Sequence, residues 1–396
     1  MKKNVLFVMP SLLAGGGQKS LINLLSQIDY TRFHVDLLLF SQTGAFMKSI
    51  PPGVHMVNLP NLHPAFSEHI VPSMLKLLAQ RQFKLAYARL MFAVTNRLVR
   101  NTASSEQYSW AYMKRSFGTM EKEYDVAIGY LEKSSIYYIV DRVKAKKKIG
   151  WIHTNYSNSG MIARLDAPYF KQLDKLVTVS DECAKSLKET FSELTDRITV
   201  IQNIVSPQRI LMESLRESVT SLPFDKRFTN VVTIARLSSE KGIDLAIKAC
   251  ALLKSQGHVI KWYVLGDGDE REALEKMITQ LNLQDTFILL GIKENPYPFI
   301  KHADMYVQPS RYEGKSIAID EAKILHKPIV VTNYESAKDQ ITDGVNGLIV
   351  DMNEQGLANG IIELLHQGEL REALIHSLSQ EKMGTEEEVN KLYEII

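Results

Sequence analysis

Cysteine is nearly missing from this chain. There are two in 396 residues, Cys183 and Cys250. Each stands alone in a helix-like run, with no Cys-x-x-Cys and no histidine at the spacing of a zinc site. That excludes a disulfide scaffold and fits two reduced thiols, at least one of them buried, in a reducing compartment. An excess of one charge is missing too: 47 Lys and Arg against 45 Asp and Glu leave a net charge of +2. The whole-chain balance therefore gives no argument for nucleic acid, and any basic surface must be local. No stretch approaches the ~20 apolar residues of a membrane helix. The opening Met-Lys-Lys-Asn-Val-Leu-Phe-Val-Met is short and runs into a glycine turn, so it reads as a buried first strand rather than a secretory signal. These features together place the protein in the cytoplasm. Gly-x-Ser-x-Gly, His-Glu-x-x-His and the Walker loop are also absent, which removes several hydrolase and nucleotidase classes.

What is present is a globular composition, 45% hydrophobic and 23% charged, long enough for two domains. Short apolar runs alternate with amphipathic stretches. Strands are predicted at 4–9, 34–40, 125–129, 148–152, 175–179 and 198–201, then at 230–234, 261–265, 287–290, 305–308, 329–332 and 347–350. Most are too continuously apolar for a one-sided sheet, as expected when helices cover both faces. Helices are predicted at 18–27, 182–191, 243–256, 270–281, 317–325 and 354–366. The βαβα alternation implies an α/β fold of parallel, doubly wound sheets. The series restarts near Asn230, after a polar segment with Pro207 and Pro223. Two Rossmann-like domains are expected, 1–205 and 206–396, the second ending in a charged terminal helix.

One window differs. Residues 74–115 are helical in character and carry eight Lys or Arg against the single acid Glu106. The basic residues, among them Lys76, Arg81, Lys84, Arg89, Arg97 and Arg100, are interleaved with Leu75, Phe83, Tyr87, Trp110 and other bulky apolar side chains. Such a segment fits docking on an anionic membrane face. It also fits ordinary helices whose basic residues snorkel into water.

Chemistry concentrates in four places. The run Pro309-Ser-Arg-Tyr-Glu-Gly-Lys-Ser-Ile-Ala-Ile-Asp-Glu321 leads from a strand through a turn into an apolar helix. Gly314 permits close backbone approach, and the amides opening the helix at Ser316 and Ile317 make an anion or hydroxyl site. Eight residues are about two helical turns, so Glu313 and Glu321 are expected on one side of that helix, where two carboxylates suit sugar or ribose hydroxyls. An acidic first turn with one solvated Glu fits the same spacing equally. The run Thr233-Ile-Ala-Arg-Leu-Ser-Ser-Glu-Lys241 places Arg236 and Lys241 after a strand and before a helix, where two cations suit a diphosphate. By itself it fits two surface cations, one paired with Glu240. Glycine turns follow a strand at Gly15, Gly16 and Gly17, and again at Gly266-Asp-Gly268. Neither is Gly-x-Gly-x-x-Gly, and no acid ends the strand after the first, which weakens a dinucleotide dehydrogenase. His153 ends a strand after Ile149-Gly-Trp-Ile152, where it is either structural or functional.

In their order and spacing these motifs resemble family 4 of the retaining glycosyltransferases, over nearly the whole chain. The resemblance implies a GT-B fold, two Rossmann-like domains facing across a cleft, with the acceptor taken by the N-terminal domain and a nucleotide-diphosphate sugar by the C-terminal one. It implies that Glu313 lies beside the transferred sugar and Glu321 binds the ribose. Arg236 and Lys241 would hold the diphosphate, His153 would sit near the sugar, and Gly16 and Gly17 would close over phosphates or acceptor. Gly266, Gly314, Lys315, Ser316 and Ile317 complete the expected donor site. The family pattern Glu-Gly-Phe-Gly is here Glu313-Gly314-Lys315-Ser316, and Gln18 stands where Glu is common; both departures touch substrate choice more than reaction class. The resemblance is nearest to bacterial capsule, exopolysaccharide and teichoic-acid enzymes. It implies transfer of a hexose or N-acetylhexosamine from a UDP-sugar donor to a glycan or lipid-linked acceptor, with no metal or other cofactor; docking through the 74–115 window would put the protein at the inner face of the cell membrane. A non-catalytic sugar- or protein-binding relative and a same-fold nucleotide-sugar epimerase are the alternatives.

Overall fold

Parallel strands joined by helices account for nearly all of the chain. The structure, a computed structural model, describes residues 2–13, 15–59, 69–99, 101–216 and 222–396. Ala14 of the glycine loop, Arg100 of the basic window and 217–221 of the expected interdomain segment lie outside the described residues. In chain order the elements begin β1 (Lys3–Met9), α1 (Gly16–Gln27), β2 (Phe33–Leu39), β3 (Val54–Val57), α2 (Ile70–Ala79), α3 (Phe83–Leu98) and α4 (Thr102–Met113). They continue with β4 (Tyr124–Gly129), α5 (Ser134–Arg142), β5 (Ala145–Ile152), α6 (Ala163–Phe170), β6 (Lys175–Thr178), α7 (Asp181–Thr190), β7 (Ile198–Val200) and α8 (Pro207–Ser214). Then come β8 (Thr229–Ile234), α9 (Ile243–Ser255), β9 (Ile260–Leu265), α10 (Arg271–Gln280), β10 (Phe287–Gly291), α11 (Tyr297–His302) and β11 (Met305–Gln308). The last are α12 (Ile317–Ile324), β12 (Ile329–Thr332), β13 (Leu348–Val350), α13 (Glu354–His366), α14 (Gly368–Gln380) and α15 (Glu388–Ile395).

Two compact units result. The first comprises residues 1–13, 21–202 and 387–396; the second comprises 14–20 and 203–386. In the first, a seven-stranded sheet runs β3-β2-β1-β4-β5-β6-β7, every pair parallel. In the second, six parallel strands run β10-β9-β8-β11-β12-β13. Both sheets bury both faces, which is why their strands are apolar without alternation. Val231, Val264, Val307 and Val330 enter one core of the second unit. Their strand neighbours Val232, Tyr263, Tyr306 and Val331 enter another. In each sheet the chain order reverses beside its first strand, between β1 and β4 and between β8 and β11. Open α/β sheets bind ligands at such a reversal, outside the carboxyl ends of the strands.

The terminal helix departs from the expected 206–396 span, because it folds with the first unit. The Tyr393 hydroxyl accepts from the Asp29 amide at 2.8 Å and donates to the Gln27 carbonyl at 3.2 Å. Its ring stacks on Phe33 at 5.1 Å, under the Arg32 guanidinium at 4.9 Å. The expected interdomain segment opens with helix α8, which packs on α11 and α12 and so belongs to the second unit.

The basic window divides in two. Helix α4 is a core element: Trp110 is buried, its indole donates to Asp141, and Lys114 pairs with the same carboxylate. Helices α2 and α3 are different. Val71, Leu75 and Leu78 on α2, and Phe83, Tyr87, Leu90, Val94 and Leu98 on α3, are all exposed. Their spacing of three and four residues lines them up on one side of each helix. The apolar surface thus begins and ends earlier than 74–115. Arg89, expected among the exposed cations, is buried.

Candidate active site

The second unit gathers its motif residues at the loops that leave β8, β9 and β11. Lys241 closes a short 3-10 turn after β8, and Gly242 follows with φ +63° before α9. A Cβ on Gly242 would collide with the Pro309 carbonyl oxygen, so the β8 loop lies directly against the β11 loop. Gly266 has φ +144° and abuts the Ala235 carbonyl, and Gly268 abuts that of Leu237. Backbone-to-backbone contact requires glycine at all three positions, and at 242 and 266 the positive φ does so as well. Arg311 reinforces the join. It binds Asp244 through two nitrogens, at 2.8 and 2.7 Å, and donates to the Ser239 carbonyl.

Within this join Lys241 Nζ meets Glu313 Oε2 at 2.6 Å, and the Glu313 carboxylate is 8% exposed. The other oxygen, Oε1, accepts from Ser310 Oγ at 2.7 Å and Gln308 Nε2 at 3.1 Å. Tyr306 orients Gln308 in turn. A chain of side chains on β11 therefore fixes the carboxylate that the ammonium neutralises. Glu313 does not share a helix face with Glu321. Helix α12 begins only at Ile317 because Ser316 is its extended N-cap, so Glu313 belongs to the loop. The amide of Ser316 is also taken: it donates to Gln340 Oε1 at 2.8 Å, and Gln340 Nε2 returns to the Ser316 carbonyl and to Asp320. Lys315 points toward Asp320 at 3.8 Å. Gly314 lies buried between these residues.

Glu321 is on α12 and is 1% exposed. Its Oε1 accepts from Tyr297 at 3.1 Å and pairs with Lys19, a residue counted in the second unit. Burial would lower the Lys19 pKa, but Glu321 and Tyr297 outweigh it and hold the ammonium above its ordinary value. Glu321 Oε2 is buried and has no protein partner, so it is an acceptor available to a hydroxyl donor. Arg236 is exposed and pairs with Glu240 at 2.6 Å. Gly16 and Gly17 fall inside α1 rather than before it, in its first turn. A Cβ on Gly16 would touch nothing within 4 Å.

The first unit carries His153 immediately after β5. The ring lies against Tyr130 at 4.9 Å and is parallel to Trp151 within 11°. Its Nε2 is buried without a partner. Burial drives its pKa down to about 3, against a smaller opposing hydrogen bond to Tyr130, so the imidazole is neutral at physiological pH. Glu132, which accepts from the His153 amide, is pushed the other way, also by burial. Sequence reasoning missed Glu132, and with it Lys19, Tyr297, Arg311 and Gln340. Gln340 lies far from α12 in sequence and carries no motif; Arg311 stands inside the Pro309–Glu321 run and Lys19 just after Gln18, and neither gives a signal of its partner.

Residues 216–379 match the family described as "Glycosyl transferases group 1". The N-acetylgalactosamine-N,N'-diacetylbacillosaminyl-diphospho-undecaprenol 4-alpha-N-acetylgalactosaminyltransferase of Campylobacter jejuni is 24% identical over 382 residues, 94% of this chain and 93% of its own. Other curated relatives match in part: the matched stretch covers 43% of a Methanocaldococcus jannaschii glycosyltransferase and 38% of an alpha-D-kanosaminyltransferase of Streptomyces kanamyceticus. Among solved structures, Staphylococcus aureus TarM, a complex that contains UDP, superposes with a TM-score of 0.68 at 15% identity, covering 99% of both chains. Anabaena HepE with UDP and glucose gives 0.69 at 17%, covering 99% of this chain and 98% of that one. At that identity the likeness establishes the fold.

The neutral His153 has a measurable consequence. In the unfolded chain it takes a proton below pH ~6.5, whereas the folded protein resists until about pH 3. The folded state therefore loses stability as pH falls through this window, by up to about 1.4 kcal/mol per pH unit. Denaturant unfolding of wild type and His153→Asn at pH 7.5 and pH 5 is expected to show a smaller acid loss in the variant. Equal losses would contradict a neutral buried imidazole.

Proposed function

We propose that this chain, whose residues 216–379 match the group 1 glycosyl transferases, moves a sugar from a nucleotide-diphosphate donor to a glycan or lipid-linked acceptor in bacterial surface polysaccharide synthesis. One observation carries the reading. At the reversal of the second sheet, a lysine paired to a fixed carboxylate stands in the same unit as a buried glutamate that keeps one acceptor oxygen free. In this reading Lys241, joined by Arg236 once it leaves Glu240, holds the diphosphate. Glu321 takes a ribose hydroxyl through Oε2, and Glu313 lies beside the sugar. Gly16, Gly17, Gly266 and Gly314 let backbone approach the donor, and the amides beyond Ser316 at Ile317 face its anionic part. Bound UDP in TarM and HepE supports a UDP-sugar as the donor.

In the reaction the anomeric C–O bond to the β-phosphate breaks while a bond to the acceptor oxygen forms. Negative charge grows on the leaving phosphate, and Lys241 and Arg236 stabilise it, an electrostatic effect worth several kcal/mol in such sites. The departing phosphate takes the acceptor's proton, which favours the same face and retention. His153, neutral and buried, acts as a hydrogen-bonding group near the sugar rather than as a cation. Protein cations take the place of a metal at the diphosphate. Titration of UDP into the protein with a chelator present is expected to show binding. Lys241→Ala and Glu321→Ala should each weaken it about tenfold or more, ~1.4 kcal/mol. Affinity unchanged in both variants, or lost on chelation alone, would sink the assignment.

The exposed stripes of α2 and α3 fit an anionic bilayer as the surface on which a lipid-linked acceptor is presented. Between Glu68 and Glu106 there are six Lys or Arg and no acid. Lys76, Arg81, Lys84 and Arg97 are exposed beside the stripe. Each basic residue near an anionic surface adds about 1 kcal/mol, and apolar side chains such as Leu75 and Phe83 can enter the interface. The diphospho-undecaprenol in the name of the Campylobacter relative supports the same kind of acceptor. The protein is expected to pellet with phosphatidylglycerol vesicles at low salt and less at high salt, and to stay in solution with phosphatidylcholine. Arg81, Lys84 and Arg97 changed together to Glu should abolish pelleting. Recovery in the supernatant under every condition, or pelleting of the variant like wild type, would reject docking through this surface.

A further inference from the structure

The first sheet carries a second constellation, away from every motif considered so far. In the parallel register of β2 and β3, Asp36 stands opposite His55, and His34 lies two residues before Asp36 on the same face of β2. The three side chains converge: His34 Nε2 is 3.3 Å and His55 Nδ1 is 3.2 Å from the same oxygen, Asp36 Oδ1. All three atoms lie within 4.8 Å of one another. The imidazoles are exposed, 48% and 66%, while the carboxylate is 1% exposed.

We propose that His34, Asp36 and His55 bind one divalent first-row transition ion, Zn²⁺ by preference, with water in the fourth position. Tetrahedral zinc holds nitrogen and carboxylate oxygen at ~2.0–2.1 Å, which separates neighbouring ligand atoms by roughly 3.3–3.4 Å. Two of the three ligand-to-ligand edges already have that length. The third, between the imidazoles, closes by rotation of two exposed side chains. Two imidazole nitrogens favour zinc, copper or nickel over calcium or magnesium, which prefer all-oxygen sets.

The remaining oxygen of Asp36 is occupied in the way a metal carboxylate needs. Oδ2 accepts from Lys122 Nζ and from the Tyr124 hydroxyl, both at 2.8 Å. These donors aim Oδ1 at the imidazoles, as outer hydrogen bonds orient metal ligands elsewhere. Oδ1 faces the histidines and Oδ2 the lysine, so cation and ion do not compete for one atom. The ligands sit at the second residue of β3 and the second and fourth of β2, near the amino ends of strands whose carboxyl ends lead to the ligand-binding edge. The ion's effect is therefore to tie the edge strand β3 to β2. It takes no part in transfer, and the inference stands independently of the donor reading.

The test uses the untagged full chain, stripped with a chelator and then freed of it. Titration with ZnCl₂ at pH 7.5 is expected to give one ion per chain and a raised unfolding temperature. Co²⁺ should give the visible absorption of a tetrahedral site. The double variant His34→Ala/His55→Ala, altered only at exposed side chains, should lose stoichiometric uptake and the cobalt spectrum while still binding UDP. No stoichiometric uptake by wild type, or equal uptake by the double variant, would overturn the site. Histidines that merely pair with Asp36 would give the first of these results.

Discussion

The ion pair between Lys241 and Glu313 joins two loops that are 72 residues apart in sequence. It forms because parallel pairing brings the carboxyl ends of β8 and β11 side by side, and because glycine at 242 lets one loop touch the backbone of the other. A largely buried pair of this kind gains little net stability, since desolvation offsets most of its Coulomb energy. Its effect is positional. The ammonium is held at the sheet reversal, and the carboxylate is kept in one orientation by Ser310 and Gln308. A diphosphate entering there meets a cation already placed and a carboxylate already aimed, with no further ordering to be done. Preorganisation of that sort is what electrostatic stabilisation of a leaving group needs.

Glu321 illustrates the complementary arrangement. Lys19 and Tyr297 satisfy one oxygen and leave the other bare. A buried acceptor without a partner costs stability, and a ligand hydroxyl that meets it recovers that cost on binding. His153 follows the same logic in the first unit, where packing between Tyr130 and Trp151 keeps a buried nitrogen uncharged. Both sites hold polar groups in a state that water alone would not favour.

Much of this was readable from the chain. The continuously apolar runs marked strands buried on both faces, and strand-to-helix turns rich in Gly, Lys and Glu marked the loops at their ends. What escaped depended on tertiary neighbours. Strand β3, Val54–Val57, is half exposed at a sheet edge and too short and mixed to stand out. Trp110 could be an interfacial or a core aromatic on the sequence alone, because its partner Asp141 lies 31 residues on. The spacing of Glu313 and Glu321 suggested a shared helix face, but it cannot reveal that the helix starts at Ile317. The partners of Gln340, Lys19 and Asp36 come from register and crossover connections, which no local pattern encodes.

In the proposed reaction a nucleotide diphosphate occupies the edge where β8, β9 and β11 end. Amide hydrogen exchange with and without UDP tests this most directly, because the buried backbone there reports a ligand without any substitution. Slowed exchange is predicted in 236–242, 266–270 and 314–321, with the strands and the α2–α3 surface unchanged. Protection absent from these three segments, or confined to other parts of the chain, would contradict it.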